Sequence, residues 1–305
     1  MIYKGYEFQE NDGCLIIKNV KDFNPTHIFD CGQCFRWEKK EYGVYFGIVK
    51  DKCVEVSFKS TKNENEGDVI ISNSGLDDAK FWYNYFDLET DYSLIKNILK
   101  KDNILAKAIE YAPGIRILKQ DFNEMLISFI ISANNSIPRI MKIIENICNK
   151  YGDELTYKGK VYFTFPSIEI LAKLTSEDLR FSSAGFRCHY IVHTAKLAEE
   201  CRLSGDDLMK ISYAQALEVM QQFRGVGPKV ADCVLLFSGV KMEAFPVDVW
   251  VKRVIEKLYL KKSATFKEIT MFADVKFGLL AGYAQQYLFY FARENKIGIK
   301  KQKQT

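Results

Sequence analysis

The chain has 305 residues and a mass of 35.2 kDa, with 43 Lys and Arg against 39 Asp and Glu, a formal charge of +4. Hydrophobic residues make up 48% and charged residues 27%, the balance of a globular protein, which excludes disorder or a coiled coil as a global description. The longest apolar runs, such as Met125 to Ala133, fall short of the roughly 20 residues that cross a bilayer, and the N-terminus MIYKGYEFQEND has no apolar signal region, so a soluble, intracellular protein (cytoplasm or nucleoid if prokaryotic) with no membrane partner is expected.

The first elements in chain order are strands. GVYFGIVK (43–50), CVEVSF (53–58) and DVIIS (68–72) alternate or run apolar, and predict a small antiparallel sheet. Between the last two, STKNENEGD (60–68) is polar and predicts an exposed hairpin loop. Cys31 and Cys34 have the C-x-x-C spacing of a metal or redox site, but zinc needs further ligands and only His27, His189 and His193 are available. The pair is therefore read as structural, and the eight cysteines as mostly free thiols. No cysteine follows Cys233, so no C-terminal four-cysteine iron–sulfur cluster is expected.

From Asp91 the period changes to 3.6, starting with DYSLIKNILKKDNILAKAIEYA, where Asp91 can cap and Leu94, Ile95, Ile98 and Leu99 form a stripe. Helices are predicted almost without interruption at 121–132, 138–152, 167–174, 187–203, 213–223, 228–239, 248–259 and 281–296. The fold class is α+β, an N-terminal sheet domain (1–120) followed by a mainly helical domain (121–305). The tail with Lys296, Lys300, Lys301 and Lys303 reads as a solvated end.

The chemistry is concentrated in QQFRGVGPKVADCVLLF (221–237). Two helical runs are separated by Arg224, Gly225, Val226 and Gly227, and Pro228 stands where the second helix begins, a position that wastes no N–H. A glycine turn leading into a helix N-terminus aims free N–H groups and positive dipole outward, as a phosphate requires. This predicts a helix-hairpin-helix, which grips the DNA backbone without reading sequence. Lys229 lies in the first turn, where the dipole disfavours an added charge and favours a neutral, nucleophilic amine; a plain phosphate-binding lysine is the other reading. Nineteen residues on, FPVDVW puts Asp248 at a helix start, where it can cap and act chemically as well.

GVGPKVADC followed by PVDV resembles the helix-hairpin-helix DNA glycosylase superfamily, and within it the 8-oxoguanine DNA glycosylase branch. CGQCFRW (31–37), GIRILKQD (114–121), SANNSIPRI (132–140), GFRCHY (185–190) and GYAQQYLF (282–289) match that branch in order, covering nearly the whole chain. The resemblance implies a bifunctional enzyme, an N-glycosylase and abasic-site lyase, that flips the damaged nucleotide out of duplex DNA. Lys229 would attack C1′ of the deoxyribose, giving a Schiff base whose β-elimination nicks the strand, and Asp248 would stabilise charge on the sugar.

By the same resemblance the Gly32 carbonyl would accept from N7–H of 8-oxoguanine, Gln285 would meet the Watson–Crick edge, and Phe289 and Cys233 would flank the base. Asn134, Arg139 and Arg187 would fill the vacated stack and contact the opposite base, predicting a preference for cytosine there. Phe186 stands where relatives often carry tyrosine and keeps a wedge; Trp250 stands where many carry histidine. Gly225, Gly227, Val230 and Trp250 would lie along the DNA backbone. No cofactor is implied, beyond a structural monovalent or alkaline-earth ion held by the main-chain carbonyls of Gln221, Phe223 and Val226. The partner would be double-stranded DNA containing oxidised guanine, bound by a monomer.

Two alternatives remain open from the residues. A sister glycosylase for another damaged base would keep the hairpin, although members acting as glycosylases alone lack a nucleophilic lysine there. A non-catalytic DNA-binding module would need neither Lys229 nor Asp248.

Overall fold

The computed structural model describes residues 1–63 and 65–298. Among these residues, strands β1 (Ile2–Tyr3), β2 (Tyr6–Asn11), β3 (Cys14–Lys21), β4 (Trp37–Lys39), β5 (Tyr45–Val49), β6 (Lys52–Asn63) and β7 (Glu66–Ser72) form a seven-stranded antiparallel sheet in the order β1-β2-β3-β7-β6-β5-β4. Ile71 of β7 lies opposite Leu15 of β3 and Val56 of β6, so one face carries a continuous apolar ladder. Helix α1 (Pro25–Phe29) sits between β3 and β4, and α2 (Ala79–Tyr85) brings Trp82, nearly fully buried, into the sheet's core.

The helical part comprises α3 (Tyr92–Leu99), α4 (Asn103–Tyr111), α5 (Phe122–Ser132), α6 (Ile137–Tyr151), α7 (Ile168–Ala172), α8 (Arg187–Cys201), α9 (Gly205–Met209), α10 (Tyr213–Met220), α11 (Pro228–Phe237), α12 (Val249–Val254), α13 (Phe266–Phe277) and α14 (Ala281–Glu294). Side chains cap most of these helices at their first turn: Asp91, Asp102, Asp121, Ser167, Ser204, Ser212, Asp248 and Thr265 each accept from N–H groups left without helical partners. The centre is α5, buried along almost its whole length and packed on α8 and α11, while α14 packs on α4 and α12. The α+β architecture is thus the expected one.

Several local expectations are corrected. The stretch 60–68 is not a long loop, because β6 runs to Asn63 and β7 resumes at Glu66. The run from Asp91 breaks into two helices, since Asp102 caps a new start at Asn103, and Leu94 and Ile98 are exposed while Ile95 and Leu99 are buried. The helices are interrupted by a second hairpin, β8 (Glu154–Tyr157) and β9 (Lys160–Phe163). Strands β2, β3 and β4 and helix α13 also escaped the periodicity reading. Lys300, Lys301 and Lys303 of the tail lie outside the described residues.

One buried cation ties the sheet to the first helices after it. Arg116, 2% exposed, donates to the carbonyls of Lys21, Asp22 and Asp87 at 2.7–3.0 Å and lies 4.5 Å from the Tyr92 ring centre. Its donors satisfy strand-end and loop carbonyls that no ladder reaches.

Candidate active site

The hairpin is formed by α10 and α11. Gly225 has φ +84, and a Cβ there would come within 2.8 Å of the Tyr190 ring, so glycine both makes the turn and lets α8 press against it. Gly227 is extended and precedes Pro228, the first residue of α11. Both glycines leave their backbone open to approach, whereas the Val230 side chain is 6% exposed and belongs to the core, leaving only its main chain for an outside contact. The carbonyls of Gln221, Phe223 and Val226 are hard, neutral oxygen donors on this turn, a set that suits a monovalent or alkaline-earth ion. Among the described residues no group of three or more His, Cys, Asp or Glu could hold a metal.

From this turn α11 runs inward and Lys229 enters a cavity of about 340 Å³. Lys229 is half-buried, its Nζ 5.4 Å from the Phe129 ring centre. Asp248 lines the same cavity and accepts from the N–H groups of Trp250 at 2.9 Å and Val251 at 2.8 Å. Burial raises the Asp248 carboxyl above its usual value, an effect partly offset by those donors and by the charge of Lys229. One turn beyond Lys229, Cys233 is 3% exposed, and burial pushes its thiol up to about 11. Trp250 lines the cavity mouth under the Arg253 guanidinium.

The opposite wall comes from the first hundred residues and the last helix. Gly32, with φ +80, lies against α14, where a Cβ would stand 3.1 Å from the Phe289 ring. Gln285, four residues before Phe289 on α14, is 4% exposed; its Nε2 donates to the Pro246 carbonyl at 3.2 Å while its buried Oε1 has no partner. An orphaned buried acceptor costs about 1–3 kcal/mol, which a ligand donor would relieve. The structure therefore gathers Gly32, Lys229, Cys233, Asp248, Gln285 and Phe289 around one cavity.

A second set lies on the outer rim. Asn134 has φ +50 and is exposed, Arg139 is exposed and reaches the Ser183 carbonyl at 3.5 Å, and the Phe186 ring is 62% exposed. Arg187, expected with them to contact the opposite base, is turned inward instead. It is 5% exposed and donates to the carbonyls of Ala133 (3.1 Å), Asn134 (3.1 Å) and Ala184 (3.3 Å), bracing the loop that holds Asn134.

Sequence reasoning missed the residues that hold the pocket's lip. Gln33, fully buried, donates to the carbonyls of Ile28 and Arg116 and accepts from the Leu118 N–H, each at 2.8 Å. Gln286 donates to the Cys31 carbonyl at 2.9 Å, and Arg293 donates to the Asp30 carbonyl while packing over Phe289. Arg293 lies four residues past Phe289, a spacing that could have flagged it. Cys31 and Cys34 are buried thiols, with the Cys31 Sγ 3.0 Å from the Ile28 carbonyl.

Comparison with known proteins matches residues 15–126 to the N-terminal domain of 8-oxoguanine DNA glycosylase and residues 127–275 to the HhH-GPD superfamily of base excision DNA repair proteins. The N-glycosylase/DNA lyase of Saccharomyces cerevisiae is 32% identical over 317 residues, covering 89% of this chain and 84% of the relative. The chain belongs to the 8-oxoguanine DNA glycosylase family. A probable N-glycosylase/DNA lyase of Methanothermobacter thermautotrophicus is 34% identical over 69% of this chain and 72% of the relative. The 8-oxoguanine glycosylase/lyase of Clostridium acetobutylicum, solved with double-stranded DNA containing cytosine opposite 8-oxoguanine, is 44% identical with a TM-score of 0.90, covering 95% of this chain and 99% of that one. The sheet-then-helices architecture is the one expected for this glycosylase family.

Proposed function

We propose that the protein is a bifunctional DNA repair enzyme that excises 8-oxoguanine, preferably opposite cytosine, and then nicks the abasic site. The observation that carries the reading is the meeting of Lys229 and Asp248 in one cavity with Gly32, Cys233, Gln285 and Phe289. In that cavity a flipped nucleotide would sit between the Phe289 ring and Cys233. The Gly32 carbonyl would accept from N7–H, the group that distinguishes 8-oxoguanine from guanine, and the orphaned Gln285 Oε1 would accept from the Watson–Crick edge.

The Lys229 amine attacks C1′, so that the Nζ–C1′ bond forms as the C1′–N9 bond breaks and its electron pair leaves with the purine. Loss of the lysine proton and ring opening give the Schiff base, and removal of a C2′ proton expels the 3′ phosphate. Asp248, held by two N–H donors and half-buried, opposes the positive charge that develops on the sugar. Arg139 and Asn134, with the loop braced by Arg187, are assigned to the opposite base, Phe186 to the wedge, and Gly225, Gly227, Val230 and Trp250 to the DNA backbone.

The division at residue 120 is one of roles: the first unit supplies the Gly32 lip, the second the nucleophile and hairpin. The carbonyls of Gln221, Phe223 and Val226 would hold the ion, which would supply positive charge on the face that meets the DNA backbone. An intracellular monomer completes the reading; no described helix is long and apolar enough to cross a membrane.

The test is a duplex with one 8-oxoguanine opposite each of the four bases, incubated with and without borohydride beside undamaged, hypoxanthine and uracil duplexes. The expected result is a nick and a trapped covalent complex with the 8-oxoguanine strands, strongest opposite cytosine, both lost in Lys229→Gln. Trapping that persists in Lys229→Gln removes the nucleophile assignment, and cleavage of another base instead assigns the protein to a sister specificity.

A further inference from the structure

Beside the glycine turn stands a cation that the cavity does not use. Arg224 is exposed, and its Nη1 lies 2.9 Å from Nε2 of His189 on α8. Arginine can only donate, so Nε2 of His189 is the acceptor in this contact. Among the described residues no carboxylate lies within ion-pairing distance of Arg224, and its remaining guanidinium donors have no partner. An exposed arginine is ordinarily mobile or paired with an acid. Here it is held by an imidazole in place of an acid, which restricts the guanidinium without pairing its charge.

The backbone explains why the two residues meet. Gly225, lacking a Cβ, admits the Tyr190 ring beneath the turn, and the Arg224 carbonyl accepts from the Thr194 hydroxyl at 3.3 Å, so the turn is held to α8 at Arg224 and at the residue after it. His189 lies three residues beyond the protruding Phe186, in the first turn of the 15-residue α8, where the dipole adds positive potential. The Arg224–His189 pair therefore stands between the exposed wedge and the glycine turn, two elements that the reading above assigns to DNA.

We propose that Arg224, held by His189, is a further contact for a DNA backbone phosphate, extending the grip of the glycine turn toward the wedge. The inference rests on the DNA-repair reading above. The turn's N–H groups offer partial charge only, whereas Arg224 adds a full charge and a fork that matches phosphate oxygens. The contact is with the backbone, so it strengthens binding to damaged and undamaged duplexes alike.

The experiment is fluorescence anisotropy with an 8-oxoguanine:cytosine duplex and its undamaged counterpart over a salt series, using the wild type, Arg224→Gln and Arg202→Gln. Arg202 stands at the far end of α8, so its substitution makes the same change in net charge about 20 Å away. Arg224→Gln should bind both duplexes about tenfold more weakly near 0.1 M salt, and its slope of log affinity against log salt should be shallower by about 0.9, the value for one phosphate contact. Arg202→Gln should keep the wild-type slope. An unchanged slope in Arg224→Gln, an equal change in both variants, or a loss confined to the damaged duplex overturns the proposal. A wild type that binds neither duplex overturns the DNA-repair reading itself, a result distinct from failure of the Arg224 contact alone.

Discussion

Gln33 decides more than its place in a short loop suggests. The Cys31–Cys34 segment lines the cavity with Cys31 and Gly32 from outside regular structure, so its conformation depends on side chains that satisfy its neighbours. Gln33 does this with three hydrogen bonds of 2.8 Å, one to the Arg116 carbonyl 83 residues away. Replacing it by leucine keeps the volume but strands the Arg116 carbonyl and the Leu118 N–H, so Gln33→Leu should lose about 3 kcal/mol of stability in denaturant titration. It should also lose discrimination between 8-oxoguanine and guanine, because the Gly32 carbonyl is no longer held in place. Wild-type stability in Gln33→Leu would mean that the loop is fixed by Gln286 and Arg293 alone. Gly32 was legible through the resemblance of CGQCFRW; the reason for Gln33 was not, since its partners are distant in sequence.

At the scale of elements, the hairpin was legible because its signals are local, a glycine turn and a proline at a helix start. Helix α13 was not, because Met271 and Val275, 60% and 88% exposed, place apolar residues on its outer face and blur the stripe. What joins the hairpin's two helices was also hidden: Asp232 of α11, 5% exposed, accepts from the Tyr213 hydroxyl of α10 at 2.5 Å. Burial pushes the Asp232 carboxyl up to about 7 from an ordinary 3.8, and burial likewise pushes Glu124 up to about 7. Between about pH 4 and 7 these two carboxyls hold protons in the folded chain that they have released in the unfolded one, so their contribution to stability falls as pH rises through that window, while burial of His27, which lowers its imidazole to about 4, contributes in the opposite sense. Asp232→Asn, an amide that resembles the protonated acid, should make this decline shallower in urea titrations across the window. An identical slope in wild type and variant would show that Asp232 ionises in the folded protein as readily as in the unfolded one.

Over the whole molecule, the matched segments lie more than 250 residues apart and still converge: Gly32 comes from the loop before β4, Lys229 and Cys233 from α11, Asp248 from the cap of α12, and Gln285 and Phe289 from α14. Order along the chain was legible, whereas convergence depends on how the sheet is set against the helices. Arg116 is central to that setting, since it binds carbonyls at the end of β3 and after α2 and stacks on Tyr92 of α3. Its own carbonyl receives Gln33, so displacement of this strand end moves the lip of the pocket while α11 and α12 remain packed on α5 and α14. Arg116→Gln leaves several buried carbonyls without donors and should cost about 3 kcal/mol. Its functional effect should be uneven. On the proposed function, recognition of the base would use the lip, whereas attack on an abasic site would use only Lys229, Asp248 and the hairpin. In Arg116→Gln, excision of 8-oxoguanine should therefore fall at least tenfold further than borohydride trapping on a duplex that already holds an abasic site. Equal losses on the two duplexes would mean that Arg116 supports the helical core as much as the pocket's lip.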